Sequence, residues 1–161
     1  PNGIAVRPAG TRAYVVSGGG VWVINTANNT LVTTIALGGD PTGIAINAAG
    51  TRVYVANRIN RNVSVINTAT NSVVATIAAG IDPAGLGVNP AGTRVYVTNR
   101  GGNNVTVIDT TNNSVVTTVP VGLEPLGVAV NPAGTRVYVA NNSNLSTSVT
   151  VRESSSRSSM A

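Results

Sequence analysis

The arginines are the side chains of this chain best suited to chemistry. All ten basic residues are arginine, five residues are acidic, and neither histidine nor cysteine occurs. A guanidinium binds carboxylate or phosphate through parallel hydrogen bonds, so an arginine-rich surface suits anion binding. Without histidine or cysteine, the chain lacks the usual general base, thiol nucleophile and transition-metal ligand. We therefore expect no enzyme activity, no catalytic residue, no cofactor and no metal site.

The arginines fall into two sets. Members of the first set occupy the same position in each copy of a repeated pattern and would form an electropositive ring: Arg12, Arg52, Arg94 and Arg136. Such a ring could hold an anion, but its regular spacing favours a structural role in which each stem packs on a neighbouring turn. The second set lies in segments that differ between copies, where binding residues concentrate. From these segments we predict a binding set: Arg58, Asn60, Arg61, Arg100, Asn103 and Asn104.

Three of the acidic residues, Asp40, Asp82 and Glu124, precede proline at matching positions. Carboxylates can bind a cation, but each of these acids stands alone, without the clustered oxygen spacing of a calcium loop. A hydrogen-bonding role in a turn is therefore the preferred interpretation.

The repeated pattern is best seen in NPAGTRVYVTN at residues 89–99, which recurs at 131–141 and 47–57 and more weakly at 7–17. Each copy holds four short runs rich in valine, isoleucine and threonine, separated by turn residues. In the second copy these runs predict strands at 43–47, 52–56, 62–66 and 72–77. Residues 53–56 are apolar on both faces of their strand, so both faces of the sheet must be covered.

A four-stranded antiparallel unit of about 42 residues, stacked on similar units, is typical of a β-propeller blade. A β-solenoid is the alternative, although its repeats are usually shorter. We predict an all-β propeller with blades at 1–40, 41–82, 83–124 and 125–152, which are three full blades plus most of a fourth. In the fourth, strands are predicted at 126–131, 136–140 and 148–152, followed by a serine-rich disordered tail at 153–161.

Such a chain is a partial ring or half-propeller, for which three arrangements are open. Four blades could close into a small ring, or form an arc whose exposed apolar ends bind a second chain, or belong to a larger propeller. We favour two chains that complete one ring. The chain starts at Pro1 rather than methionine, so we expect it to follow a processed segment or to lie within a longer protein.

The motif Tyr96-Val97-Thr98-Asn99 resembles the signature of the YVTN family of β-propeller repeats. Variants stand at 54–57 and 138–141, in phase with Pro-x-Gly at 41–43 and 83–85. The resemblance covers residues 1–151. It implies a propeller fold and a bacterial or archaeal protein that is secreted or at the cell surface, including surface-layer proteins.

These observations predict a non-catalytic scaffold or recognition module that associates with itself, with other surface proteins or glycans as further partners. The alternative is polyanion binding, to acidic glycan or single-stranded nucleic acid, through the arginine-bearing faces. Nucleic acid is the less favoured of the two because the net charge of +5 is not densely clustered. A third possibility is part of an enzyme whose catalytic residues lie in a missing segment. No apolar run reaches the length of about 20 residues needed for a membrane span.

Overall fold

A computed structural model of the chain describes residues 2–143 and 146–153. These residues form strands and one short 3-10 helix, Arg100–Gly102. The strands, in chain order, are β1 Gly3–Val6, β2 Arg12–Ser17, β3 Gly20–Asn25, β4 Thr30–Ala36, β5 Pro41–Ile46, β6 Arg52–Asn57, β7 Asn62–Asn67, β8 Ser72–Ala78, β9 Pro83–Val88, β10 Arg94–Asn99, β11 Asn104–Asp109, β12 Ser114–Pro120, β13 Pro125–Val130, β14 Arg136–Ser143 and β15 Ser146–Glu153.

The strands form four antiparallel sheets, each made of consecutive strands. Strands β1–β4, β5–β8 and β9–β12 each make a four-stranded sheet, and β13–β15 make a three-stranded one. We call these sheets blades 1 to 4. The predicted fold class, a partial propeller of three full blades and an incomplete fourth, is confirmed.

The observed strand ends differ from the predicted ones chiefly in blade 4. There β14 and β15 continue pairing as far as Ser143 opposite Ser146, so the third strand begins at Ser146 rather than at 148. It also includes Glu153, which pairs with Arg136 and was predicted to start the tail. The rest of that predicted tail, 154–161, lies outside the described residues.

The recurring NPAG turn, together with its variant Asn47-Ala48-Ala49-Gly50, is held by its asparagine. The Oδ1 atom of Asn47 accepts the backbone N–H groups of Thr51 at 2.9 Å and Arg52 at 3.0 Å. The N–H of Gly50 donates to the Asn47 carbonyl at 2.8 Å, and Gly50 has a φ of 67°, a left-handed conformation that favours glycine. This turn sets the register in which Ile46 lies opposite Val53.

The hydrophobic core lies between blades rather than within any one of them. On β6, Val53 and Val55 pack against blade 1, whereas Tyr54 on the other face packs against Val95 and Val97 of blade 3. All five residues are at most 2% exposed. The prediction that these strands are covered on both faces is therefore correct for the interior blades.

The Pro-x-Gly motif marks where neighbouring inner strands approach most closely. A Cβ at Gly43 would overlap the carbonyl oxygen of Ala84 in the next blade, and a Cβ at Gly85 would overlap that of Leu126. The hydroxyl of Thr42 crosses the same gap and donates to the carbonyl of Pro83 at 2.9 Å. Only glycine leaves room for this approach.

Among residues 2–143 and 146–153, no other blade covers the outer face of blade 1 or that of blade 4. Ile4 and Val6 of blade 1 are 64% and 49% exposed, although their counterparts Ile44 and Ile46 pack in a core. At the other end Tyr138 is 38% exposed. We call the exposed face of blade 1 the leading face and that of blade 4 the trailing face. The four blades thus form an open arc, not a closed ring of four.

Candidate binding face

One face of the arc carries both the connections between blades and the loops between the second and third strands of each blade. We call it the loop face. Its two kinds of loop bond to each other directly. The backbone N–H of Arg58 donates to the carbonyl of Asp40 at 2.8 Å, and that of Arg100 donates to the carbonyl of Asp82 at 2.9 Å. This shared face agrees with the arrangement that strand order predicts.

Two of the predicted binding arginines take part in ion pairs on this face. An Nη atom of Arg58 lies 2.5 Å from a carboxylate oxygen of Asp40, in the connection that precedes its blade. The nearest Nη atom of Arg100 is 3.8 Å from the carboxylate of Glu124, in the connection to the next blade. At 3.8 Å the second pair is an electrostatic contact rather than a hydrogen bond. Arg100 therefore keeps most of its donors available.

Arg58 and Arg100 border the same shallow depression, of about 370 Å³, at the inner end of the loop face. We call it the mouth depression. Among its lining side chains are Asn2, Thr42, Arg58, Asp82, Arg100 and Leu126. The backbone of the Pro-x-Gly segments forms its floor, because Gly43 and Gly85 line it too. It therefore spans residues of all four blades.

The acidic residues of the connections have turn roles, and two of them adopt unusual backbone conformations. Asp82 and Glu124 have φ values of 55° and 51°, in a region that non-glycine residues seldom occupy. Their carbonyls receive the N–H groups that begin the neighbouring loops. The carboxylate of Asp82 makes no hydrogen bond or ion pair with the described residues, and Asp82 is one of the residues that line the mouth depression.

The other four predicted binding residues divide between structural contacts and solvent. Oδ1 of Asn103 accepts the N–H of Glu124 at 2.9 Å, and Nδ2 of Asn104 donates to the Gly102 carbonyl at 2.8 Å. Asn60 and Arg61 are exposed, with Asn60 beside the connection that contains Gly39. None of these four lines the mouth depression; all six residues stay predictions as ligand contacts.

The final asparagine of the signature motif has a clear structural function. Nδ2 of Asn99 donates to Oδ1 of Asn104 at 2.7 Å and to the hydroxyl of Thr106 at 2.8 Å. Its Oδ1 accepts the N–H of Gly80 at 3.0 Å. Asn99 is fully buried, so it joins the loop to the connection that precedes its blade.

The repeated arginines lie on the opposite face, which we call the turn face. In blades 1 to 3 an Nη atom donates to the carbonyl of the preceding threonine, at 2.8 Å for Arg12, 3.0 Å for Arg52 and 2.9 Å for Arg94. Arg136 holds the matching position at the start of β14. These bonds agree with the structural interpretation, while the ring as an anion site stays a prediction.

Arg94 also pairs with Asp109, at 2.6 Å. Hydrogen bonds from Thr111 are the main reason that the pKa of Asp109 is lowered, and the charge and hydrogen bond of Arg94 lower it further. Its Oδ1 accepts the N–H of Thr111, as Asn67 does for Ala69 in blade 2. Asp109 is thus a turn residue whose second oxygen neutralises one of the repeated arginines.

Sequence reasoning did not select three residues that border the mouth depression, Asn2, Thr42 and Asp82, as binding candidates. The available signal was their position: Asn2 and Thr42 are the residue before glycine in Pro-x-Gly, and Asp82 directly precedes that motif. Across residues 2–143 and 146–153, no three acidic side chains come together as a set of metal ligands.

A sequence model of the YNCE-like β-propeller matches residues 35–136, more than half of the chain. The chain belongs to the YNCE-like β-propeller family. No curated protein sequence matches it. Within the part of this YNCE-like propeller that the structure describes, no helix is long and apolar enough to cross a bilayer.

Solved structures agree with the propeller fold. In the hydrazine synthase of Kuenenia stuttgartiensis, one chain matches with a TM-score of 0.90 at 24% identity, over 95% of this chain and 46% of that one. A functionally unknown protein from Desulfotomaculum acetoxidans matches with a TM-score of 0.77 at 20% identity, over 92% of this chain and 54% of that one. This YNCE-like chain spans about half the length of the solved chains it matches. At these identities the likeness shows the fold alone.

Proposed function

We propose that the chain is a non-catalytic scaffold and recognition module of a secreted or cell-surface protein, and that it completes its propeller by binding a second copy of itself. The YVTN-type motifs support the extracellular and surface-layer part of this proposal. The absence of histidine and cysteine from the sequence supports a non-catalytic role, because no nucleophile and base pair can be assembled in the usual ways. The exposed blade faces at both ends of the arc support the proposal that two copies associate.

The two end faces are complementary because they are the two halves of an interior junction. At each interior junction, a tyrosine from one blade packs beneath the next blade; Tyr14, Tyr54 and Tyr96 are 0%, 2% and 4% exposed. Tyr138 is the same residue on the trailing face and has no such cover. The leading face offers Ile4 and Val6, the counterparts of residues that complete interior junctions. A second copy can therefore dock head to tail.

The junction between copies would be more apolar than the interior ones. At interior junctions a polar group from the first blade donates to a carbonyl of the next, as Asn2 does to Pro41 at 3.1 Å and Thr98 to Leu126 at 2.8 Å. Blade 4 has Leu126 and Ala140 at those two positions and lacks the donor. Leu126, which is 39% exposed, and Tyr138 instead supply apolar area, whose burial favours association.

Trp22 on the leading face adds to this area. It is 45% exposed and stands opposite Val15 on the neighbouring strand, where blades 2 and 3 have the buried Ser64 and Thr106. An exposed tryptophan on an apolar sheet face is typical of interfaces, since one ring buries a large area. The departure from the repeat is thus on the face that would be covered by the second copy.

The test is solution mass by light scattering on the purified chain, on three charged variants and on a mixture of two of them. The wild type is expected near twice 16.1 kDa. Tyr138→Glu blocks the trailing face and Ile4→Glu blocks the leading face, so each variant alone should be a monomer. Mixed together, they retain one intact junction and should form a two-chain species. Val32→Glu, on the exposed outer strand, is the control and should leave the wild-type mass unchanged.

A monomeric wild type at all concentrations would overturn the assembly proposal. Association that survives both Tyr138→Glu and Ile4→Glu would also overturn it, because the contact would then lie elsewhere. Turnover by the chain alone would contradict the non-catalytic part and support the enzyme alternative.

The second candidate function is anion binding, and one observation favours the loop face over the turn face. Arg58 and Arg100 share one depression, whereas the turn-face arginines of blades 1 to 3 donate to carbonyls of their own turns. Binding of a polyanion would weaken steeply with salt, whereas the apolar assembly would not.

A further inference from the structure

The mouth depression is a place on the loop face where charge breaks the repeat symmetry. The position directly after the signature motif is Gly18, Arg58, Arg100 or Asn142 in the successive blades. Only blades 2 and 3 carry a cation there, and both cations line the same depression. Since the repeat itself does not require arginine at this position, the pair is not explained by the fold.

The two arginines have different charge environments. Arg58 is bound to Asp40 at 2.5 Å, which fixes the direction of its side chain. Arg100 is 3.8 Å from its nearest carboxylate and 45% exposed, so its fork of N–H groups is open to a ligand. A planar guanidinium binds a carboxylate through two parallel hydrogen bonds. Arg100 is therefore the residue best placed to bind a carboxylate of the ligand.

The acceptor in the depression is Asp82. Its main chain is held in place, since its carbonyl receives the N–H of Arg100, while its carboxylate has no partner among the described residues. A carboxylate beside two guanidiniums would repel a ligand that is purely anionic. It would accept hydrogen bonds from a ligand that also carries hydroxyl groups. The depression therefore suits a molecule with both an acidic group and hydroxyls.

Size and lining distinguish between classes of ligand. A volume of about 370 Å³ lies at the lower end of the range for small-ligand sites, about 300–1,000 Å³. No aromatic side chain lines it, so nucleic-acid bases would have no surface on which to stack. Among the described residues, Leu126 is its only large apolar side chain, which gives a peptide little surface against which to pack its own apolar residues.

We infer that the mouth depression binds a carboxylate-bearing sugar residue of an acidic glycan. Arg100 takes the carboxylate, Asp82 accepts the sugar hydroxyls, and Arg58 supplies the second positive charge. This inference deepens the recognition part of the proposed function and does not depend on assembly, because all three residues belong to one chain. The repeated arginines of the turn face take no part.

The test is an NMR titration of the isotope-labelled chain with three probes: trigalacturonate, its methyl ester, and a triglutamate peptide. Trigalacturonate should shift the backbone signals around Arg58, Asp82 and Arg100. The methyl ester lacks the charge and should bind at least about tenfold more weakly, as expected for the loss of hydrogen bonds to a charged group. Triglutamate, which lacks hydroxyls, should also bind more weakly.

Three substitutions sharpen the result. Arg100→Gln should weaken trigalacturonate binding about tenfold or more. Asp82→Asn should weaken trigalacturonate but strengthen triglutamate, because it removes a negative charge along with a strong acceptor; asparagine also tolerates the left-handed backbone of this position. Arg52→Gln, on the turn face, is the matched control and should bind as the wild type does. The spectrum of each free variant shows whether it is folded.

The inference is overturned if trigalacturonate does not bind, if triglutamate binds the wild type as tightly, or if Asp82→Asn strengthens both probes alike, which would indicate a simple polyanion site. It is also overturned if Arg52→Gln weakens binding as much as Arg100→Gln. The monomeric Tyr138→Glu variant should still bind trigalacturonate, so that failure of assembly and failure of glycan binding are separate results.

Discussion

The interior junctions and the end faces of this arc are built from corresponding positions of the repeat, yet only the interior ones are covered by a neighbouring blade. Tyr54 and Tyr96 are 2% and 4% exposed between blades, whereas Tyr138 on the trailing face is 38% exposed. The leading face differs from interior junctions in the same way at Ile4 and Val6. A repeat sequence therefore specifies a junction, and only a neighbouring blade makes that junction a core.

Tyr54→Ala should cost about 3–5 kcal/mol of unfolding free energy, because it removes a large side chain from a packed junction. Tyr138→Ala should cost less than about 1 kcal/mol when the chain is monomeric, since much of its ring already faces water. Urea unfolding at low protein concentration measures both values. Equal costs would mean that the trailing face is packed in solution.

Asn99→Ala should cost about 2–3 kcal/mol, because the change removes three hydrogen bonds of a buried side chain and leaves the hydroxyl of Thr106 without that partner. Asn60→Ala, at an exposed loop position, is the control and should be nearly neutral. The same unfolding experiment distinguishes them. A neutral Asn99→Ala would show that the motif asparagine is not structural.

Gly85→Ala should cost about 1–3 kcal/mol, since its methyl group would overlap the Leu126 carbonyl across an interior junction. Gly127→Ala is the matched change on the trailing face, where a Cβ meets only the Ala140 methyl, at 3.7 Å. It should change the stability of the monomer by less than about 0.5 kcal/mol. It should, however, weaken association between copies. If both substitutions were equally costly in the monomer, the close approach would not explain Pro-x-Gly.

The buried tyrosines predict a limit to stability at high pH. Burial raises the pKa of Tyr14 and Tyr54 above the ordinary value of 10.0, and nearby arginines oppose the rise only in part. Because the folded pKa is above the unfolded one, the contribution to stability is complete below about pH 10 and is lost as pH rises through the folded value. Urea midpoints between about pH 9 and 12 should fall, and the fall should be smaller in Tyr54→Phe. An unchanged slope in that variant would contradict the stated cause.

Much of the fold could be predicted because the chain repeats one pattern of turn and strand residues. A single copy of the repeat is enough to explain three features. These are the asparagine and glycine of the NPAG turn, the two apolar faces of the strand around Tyr54, and the close approach at Gly43. Strand ends were predicted less well in blade 4, where pairing continues to Ser143 and Ser146. No local residue pattern marks how far a hairpin extends.

The candidate site could be predicted only in part. Arg58 and Arg100 stand out in sequence because they interrupt the repeat, but Asp82 looks like any other acid before proline. Its placement in the mouth depression depends on how the four blades are stacked. Asn103 and Asn104 were chosen for the same loop as Arg100, yet their hydrogen bonds hold loops together. Side-chain direction within a loop is set by tertiary contacts that the sequence does not display.

Disulfide trapping can show whether the trailing face of one copy meets the leading face of another, because the chain contains no cysteine of its own. At the interior junction of blades 3 and 4, a Cβ on Gly87 would lie 3.5 Å from a methyl of Val128. The matching positions across two copies are Ala129 and Ile4. After mild oxidation, the double variant with Ala129→Cys and Ile4→Cys in the same chain should give a covalent two-chain species. The control double variant, with Ala129→Cys and Val32→Cys, should not. A disulfide within one chain would mean that the four blades close into a ring of their own. No disulfide at all would mean that the end faces do not meet. Either result would contradict head-to-tail assembly of two copies.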